Sequence, residues 1–356
     1  MMIRKGLSLL AIVLVLVLSV SVSSAAQGRR NQQQDNQAAA GQKPAVGPQA
    51  TSKPELDAFN ALQADTNATT RLAKADSFFT TYPNSELSGY AHRFKMDGLA
   101  RTGKYKEAIA EGELGLAVDI KFSEDLIKKI DAAKGKDKNL PDKNSPEFKA
   151  FMDSTQKAML FYYQSIMTYY QQLNDAAKTI EYAEKALDQD PDDLVSLLTL
   201  SGVLSERPPT DEKAKEEQMK RVLDLGKQAE TKVTALVSAA GAQMREEQKS
   251  GLVSSVHQTL GLANFHLKKW GDSQKEYLAA IAAKKDDPVS YYRLGLAYIQ
   301  DKKVDPALDA LAKSVFLKGP TEPESRDLLQ KLYEAKNKNT TGMDAFIASA
   351  GQKIGQ

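Results

Sequence analysis

Apolar residues recur at every third or fourth position through most of the chain from residue 54 onwards. This spacing puts them on one face of an α-helix, whereas a half-buried strand would need apolar and polar residues to alternate. The periodic segments are separated by prolines, among them Pro83, Pro141, Pro191, Pro288 and Pro320. Proline ends a helix because it lacks a backbone donor and its ring clashes with the preceding turn. The pattern therefore predicts an all-α protein built from successive helices.

The phrase Leu-Gly-Leu-Ala occurs twice, at 260–263 and at 294–297, an offset of 34 residues. In the second copy, Gly295 has no side chain and would let its helix approach the following helix closely. Ala307 offers a small contact on that following helix, and residues 301–303 form the turn between the two. An offset of this length indicates a repeat unit of two helices that stacks on the next unit.

The positions of this unit resemble the signature of the tetratricopeptide repeat. The matching residues are Tyr291, Leu294, Gly295, Tyr298, Ala307 and Leu311. Weaker matches lie at 89–109, 160–191 and 194–206, so that the chain holds about five repeats and one degenerate unit. The resemblance implies a solenoid of helical hairpins, wound as a right-handed superhelix, over residues 54–340.

The end of the predicted solenoid has its own pattern. Leu329 and Leu332 fall on one side of the segment 325–336, and charged residues fall on the other. A terminal repeat has no neighbour to cover it, so this segment is predicted to be a C-terminal capping helix. Residues 341–356 are expected to add a further C-terminal helix or tail.

Two stretches interrupt the 34-residue period. Residues 120–149 hold eight Lys against six acidic residues, which is typical of either a partner-binding loop or a solvated insertion. Residues 210–250 are predicted to form one extended helix, with its N-cap near Thr210 and Asp211. A long second helix of this kind would explain why the separation between residues 200 and 260 is not a multiple of 34.

The N-terminus has the pattern of an export signal. Arg4 and Lys5 precede the uncharged segment 7–22, and Ser24-Ala25-Ala26 follows, so cleavage after Ala26 is predicted for a signal peptide at 1–26. The alternative is an uncleaved anchor helix, although the segment is short for a span of about 20 residues. The chain has no Cys, which excludes a lipoprotein anchor and favours export into a bacterial envelope compartment, periplasmic or secreted.

The segment between the signal and the helices carries much of the positive charge of the chain. Residues 27–53 are rich in Gln, Ala and Pro, carry a charge of +3 and are predicted to form a disordered tether. The whole chain has a formal charge of +2, of which Arg4 and Lys5 in the signal contribute +2 and the tether +3, so residues 54–356 are left with −3. A mildly acidic folded part does not favour a nucleic-acid partner.

The sequence shows no catalytic constellation. His257 and His266 are nine residues apart on one predicted helix, which puts them on opposite faces, where they cannot share a metal ion. No zinc-protease, nucleophile-elbow or phosphate-loop motif occurs. We therefore expect no enzymatic activity, no cofactor and no metal site. Trp270, the one tryptophan, is expected to pack between helices.

The resemblance implies a partner-binding role, because the first helices of tetratricopeptide hairpins line a concave groove for a peptide or an extended segment. The residues at matching positions are Gln258, Leu262 and Phe265 in one repeat, Val289, Tyr292, Leu296 and Ile299 in the next, and Phe161 and Gln164 in an earlier one. These side chains predict a protein or peptide partner with apolar or aromatic residues. They do not favour binding of a terminal carboxylate, which relatives hold with Lys and Asn.

Several alternatives remain at this point. Some of the groove residues could instead pack against the capping helix or against each other. Independently of this, two other functions stay open: an envelope hydrolase that uses scattered carboxylates, and a small-ligand carrier with its ligand held among the tyrosines at 161–170. The sequence leaves the oligomeric state open.

Overall fold

The computed structural model describes residues 46–133, 135–137 and 140–354, and these residues form α-helices without a strand. The all-α prediction is therefore confirmed. The predicted signal peptide and most of the predicted tether lie outside the described residues. The helices divide between two compact units, one that ends at Asp175 and one that begins at Ala176.

In the described residues of the first unit, 46–133, 135–137 and 140–175, there are five helices that pack on their neighbours along the chain. They are α1 (Lys53–Gln63), α2 (Ala68–Thr81), α3 (Ser88–Arg101), α4 (Tyr105–Ala133) and α5 (Pro146–Gln172). Ser52 and Ser145 cap α1 and α5, each with its side-chain oxygen on a first-turn amide and a proline just inside the helix. The core is made by the apolar faces, with Phe59 and Phe78 in one cluster and Met96 and Tyr162 in another.

The second unit holds nine helices within its described residues, 176–354. They are α6 (Ala176–Gln189), α7 (Leu194–Glu206), α8 (Glu212–Ala240), α9 (Glu246–His266), α10 (Trp270–Ala283), α11 (Pro288–Gln300), α12 (Val304–Leu317), α13 (Glu322–Asn337) and α14 (Met343–Gln352). Sequence neighbours again pack on one another from α6 to α13, as a helical-repeat solenoid requires.

The predicted close approach within a hairpin is confirmed in two successive repeats. A side chain at Gly261 of α9 would lie 2.8 Å from the Tyr277 ring of α10. One at Gly295 of α11 would lie 2.8 Å from Leu311 of α12, at the position 34 residues further on. Both contacts require a residue without a side chain, so the two hairpins are packed in the same way.

The turns inside the hairpins share one backbone geometry although their sequences differ. Gly103, Lys268 and Lys302 all adopt a positive φ, of 76°, 60° and 59°. In each turn the following amide donates to a carbonyl five residues back, as the amide of Lys303 does to Tyr298. This is the Schellman ending of a helix, which fixes the direction in which the next helix leaves.

The two stretches that interrupt the period are mainly helical. Residues 120–133 continue α4, which is 29 residues long, and α5 begins at Pro146, ahead of the segment predicted from 160. The predicted extended helix exists as α8, capped by Asp211, but its predicted end near 250 is wrong. It ends at Ala240 because Gly241 adopts a φ of 49°, and α9 starts at Glu246.

The predicted capping helix is present as α13, and α14 packs beside it on α12. Leu329 of α13 and Ile347 of α14 cover Leu311 and Val315 in one cluster. The apolar edge of the last hairpin is thereby buried. The right-handed sense of the solenoid stays a prediction. No helix in the described part of the chain is both long and apolar enough to cross a membrane.

Candidate partner-binding surface

The predicted groove residues of the second unit lie on α9 and α11, two helices that contact each other. Leu262 and Leu296 occupy equivalent positions, 34 residues apart, and both side chains are half-buried. Because each is partly open, the pair offers apolar area beside the helix contact. We refer to Gln258, Leu262, Phe265 and Leu296 together as the α9–α11 surface.

Gln258 ties the two helices of this surface together. Its side-chain amide donates to Asp287 Oδ2 at 2.8 Å and to Ser254 Oγ at 3.2 Å. Asp287 is the N-cap of α11 and accepts from the amides of Val289 and Ser290. Gln258 therefore links the N-terminus of α11 to α9. It lies at one edge of the surface, and these two hydrogen bonds use only the nitrogen of its side-chain amide.

Phe265 closes the other end of α9. Its ring lies 5.2 Å from the Trp270 ring in an edge-to-face arrangement, and it packs against the core cluster around Tyr277. Trp270 is half-buried at the first position of α10. The tryptophan thus packs between helices, as the sequence predicted.

The remaining α11 residues serve packing more than an open surface. Val289 is only 3% exposed, so its side chain lies in the core. Tyr292 and Ile299 pack against the cluster of Leu311 with the C-terminal helices. Burial, and then the carboxylate of Glu324 in α13, raise the pKa of Tyr292. Tyr292 and Ile299 thus fit the alternative of packing against the capping region, and Val289 belongs to the core.

An ion pair that sequence patterns do not reveal joins α7 to α11. The Arg293 guanidinium bonds to the Glu206 carboxylate, although 87 residues separate them. Burial lowers the pKa of Arg293, but the charges of Glu206, Tyr277 and Asp287 and the hydrogen bond to Glu206 together outweigh burial, so the pKa is raised. The charges of Glu206 and Arg293 also act on His266. Burial, and then the positive charge of Lys215, lower the pKa of His266. The pair holds the first helices of separate hairpins in register.

His257 lies on the other face of α9 from His266, as the spacing predicted. Its Nδ1 is 2.7 Å from Glu276 Oε2 of α10. The hydrogen bond to Glu276 raises the pKa of His257 above the ordinary 6.5, although burial opposes the shift. Among the described residues no group of three or more His, Asp or Glu is placed to hold a metal ion.

The raised pKa of His257 predicts a titration that depends on Glu276. In the wild type His257 should titrate above 6.5 and His266 below it. Glu276→Gln should bring the pKa of His257 down and leave that of His266 low. A folded-state pKa raised above the unfolded one stabilises the fold below the unfolded pKa, and this contribution is lost as the pH rises through the folded pKa. The wild type should therefore exceed Glu276→Gln in stability more at about pH 5.5 than at about pH 8.5.

The chain has only three histidines, so NMR titration of their ring protons resolves this prediction directly. Urea unfolding at the two pH values measures the stability difference. An unchanged His257 titration in Glu276→Gln would contradict the assigned hydrogen bond, whatever the stability shows.

Phe161 and Gln164, the predicted groove residues of α5, belong to the first unit and are half-buried. Phe161 packs against the cluster of Met96 and Leu99, and its ring meets that of Tyr162 edge-on. Tyr162 is fully buried and donates to the carbonyl of Gly89 at 2.8 Å. Within this aromatic run Tyr162 lies in the core, whereas Phe161 stays partly exposed.

Comparison with known proteins gives fold-level similarity only. No protein-family model matches the sequence, and no curated protein does. A tetratricopeptide protein from Parabacteroides merdae is 10% identical, with 86% of this chain and 94% of that one covered and a TM-score of 0.44. A thermophilic one from Thermus thermophilus is 15% identical over 69% and 98%, with a TM-score of 0.38. The TPR2AB domain of yeast Sti1, in a complex with pHSP90, is 13% identical over 84% and 96%, with a TM-score of 0.23.

Proposed function

We propose that the protein is an exported, non-catalytic helical-repeat scaffold of the bacterial envelope, which binds a protein partner through the α9–α11 surface. The observation that carries the proposal is the pair Leu262 and Leu296, half-buried at equivalent positions on two contacting helices. Apolar area at a repeated position suits an extended or helical segment, because such a segment presents its own side chains at regular intervals.

The surroundings of this pair support an apolar partner segment. Phe265 adds an aromatic edge that Trp270 holds in place, and Gln258 adds polar groups at the rim. An apolar centre with polar groups at its border is the usual composition of a protein interface. The Glu206–Arg293 pair fixes α11, so the surface exists before the partner arrives, which lowers the entropy lost on binding.

The location in the envelope rests on the N-terminal pattern of residues 1–26. A cleaved chain would carry the tether of residues 27–53 ahead of the helices, and the folded part would be mildly acidic. The partner would be another protein of the same compartment.

The test replaces the two leucines by a charged residue. Leu262→Glu with Leu296→Glu should abolish capture of the partner from envelope extract, because each carboxylate would have to be desolvated against apolar side chains. Bait carrying the wild-type sequence and the variant would be compared by quantitative mass spectrometry. We expect at least about a tenfold loss of the specific partner, which corresponds to about 1.4 kcal/mol.

Leu278→Glu is the matched control, since Leu278 lies on the second helix of the hairpin and is 48% exposed. It introduces the same charge away from the α9–α11 surface and should keep the partner. Circular dichroism and thermal unfolding would show that all three proteins are folded. Equal partner lists for the wild type and the double variant would refute the assignment of the surface.

A further inference from the structure

The last residues of the predicted tether pack against the helices of the first unit. Residues 46–51, which we call the strap, lead without a helical turn to Ser52, the N-cap of α1. No sequence pattern predicts this contact, because the strap has few large apolar side chains. Its contacts are made by backbone groups and by small residues.

Gly47 lies directly against an aromatic ring. Its φ is +112°, a conformation that residues with side chains rarely adopt, and an added Cβ would lie 3.2 Å from the Phe151 ring. Both the backbone and the close approach therefore demand glycine at this position.

Pro48 follows and lines a cleft between α3, α4 and α5. The other residues of the cleft are Tyr90, Arg93, Asp119, Phe122, Phe151, Ser154, Thr155 and Ala158. The cavity that remains beside the strap is about 20 Å³, enough for about one water molecule. Aromatic clefts commonly bind proline in extended segments, because proline is already restricted in conformation and loses little entropy on binding.

The floor of the cleft is rigid and charged. Arg93 pairs with Asp119, and its guanidinium lies 4.8 Å from the Tyr90 ring centroid and 5.3 Å from that of Tyr162. Phe122 and Phe151 meet with their ring centroids 6.0 Å apart. These contacts join side chains of α3, α4 and α5 and involve no residue of the strap.

Two carboxylates hold the backbone beyond the proline. The amide of Gln49 donates to Glu86 at 3.0 Å. The amide and hydroxyl of Thr51 both donate to Glu55 Oε2 at 2.7 Å, and Glu55 is 1% exposed. Between them, Ala50 packs on the cluster of Phe59. The Gln49 side chain is exposed. The unit thus specifies Gly, Pro, a free position, Ala and Thr in order.

The cleft uses helix lengths that the repeat does not need. Phe122 lies on the end of α4 beyond the usual hairpin, and Phe151 lies on the start of α5 before residue 160. Phe122 belongs to the 120–149 stretch that interrupts the period, and Phe151 follows directly after that stretch. The start of the 120–149 segment thus contributes one wall of a peptide site.

We propose that the first unit has a recognition site for an extended Gly-Pro-x-Ala-Thr segment, which its own strap occupies, and that a partner segment of the same chemistry binds there when the strap is released. The strap is covalently attached, so its effective concentration is of the order of millimolar. A free segment is therefore excluded until the strap is weakened. Release leaves α1 intact, because Ser52 still caps it.

The test uses the full chain and a fluorescent peptide with the sequence of residues 44–53. The wild type should bind the peptide weakly, with half-saturation above about 1 mM. Gly47→Val combined with Pro48→Asp weakens the strap and should improve peptide binding by about tenfold or more. Gln49→Ala changes an exposed side chain and should behave as the wild type. A peptide with valine in place of its glycine should bind none of the three proteins.

Hydrogen exchange gives an independent measure of the strap. The amides of Gln49 and Thr51 should be protected in the wild type and unprotected in the weakened variant, with helix content unchanged by circular dichroism. Unprotected amides in the wild type, or no gain of peptide binding by the variant, would overturn the proposal. So would a wild-type dimer that loses this protection on dilution, because the strap would then belong to a second copy.

Discussion

Leu311→Ala should lower the free energy of unfolding by about 2–5 kcal/mol, the range for removing a fully buried leucine and leaving a cavity. Leu311 is 0% exposed and contacts the cluster that α12, α13 and α14 share. Gly295 approaches it from α11 as well. Three other helices, α11, α13 and α14, therefore pack around this side chain of α12, and a site so enclosed can relax little into the cavity.

Leu278→Ala is the matched control for this substitution. It removes the same atoms from the corresponding helix of the preceding hairpin, where the side chain is 48% exposed. Its effect should stay within about 0.5 kcal/mol, as for surface positions in general. Urea unfolding followed by circular dichroism measures both variants. Equal losses for the two leucines would contradict the packing of α12 under the C-terminal helices.

Gly261→Ala should lower the free energy of unfolding by about 1–3 kcal/mol, as overpacking of a core does. The new methyl group would lie 2.8 Å from the Tyr277 ring, which is 1% exposed and has no free space to move into. The two helices would have to separate. Since Leu262 follows directly, the α9–α11 surface would move with its helix.

Gly251→Ala gives the opposite sign on the same helix. Gly251 also lies within α9, but a methyl group there would meet nothing within 4 Å. Alanine loses less backbone entropy in a helix than glycine, so this variant should be stabilised by about 0.5–1 kcal/mol. Thermal unfolding of the pair isolates the close approach from helix propensity. A stabilised Gly261→Ala would show that the hairpin is packed less tightly than described.

Local sequence determined the helices and their order. The predicted helix at 194–206 matches α7 residue for residue, because Asp193 caps its start and the prolines at 208 and 209 follow its end. The repeated glycines placed the hairpin contacts correctly. The prediction failed at Gly241, where a single glycine in the left-handed region ends α8 inside a segment with continuous helical periodicity.

The candidate surface was predictable only in outline. The repeat pattern placed Leu262 and Leu296 on facing first helices, and the structure has them there. It placed Tyr292 and Ile299 in the same set, yet both pack against the C-terminal cluster. Periodicity assigns a residue to a face of its helix, but it does not say whether a later helix covers that face.

The sequence by itself determined the all-α class, the 34-residue hairpins and the charge balance, because each follows from local spacing and composition. Only the tertiary structure decided which distant groups meet. Arg293 pairs with Glu206, although 87 residues separate them in the sequence. Gly47 contacts the ring of Phe151, although four helices lie between the two residues along the chain. Such contacts depend on the angles at which helices leave their turns. The polar groups involved then pair because burial without a partner would be costly.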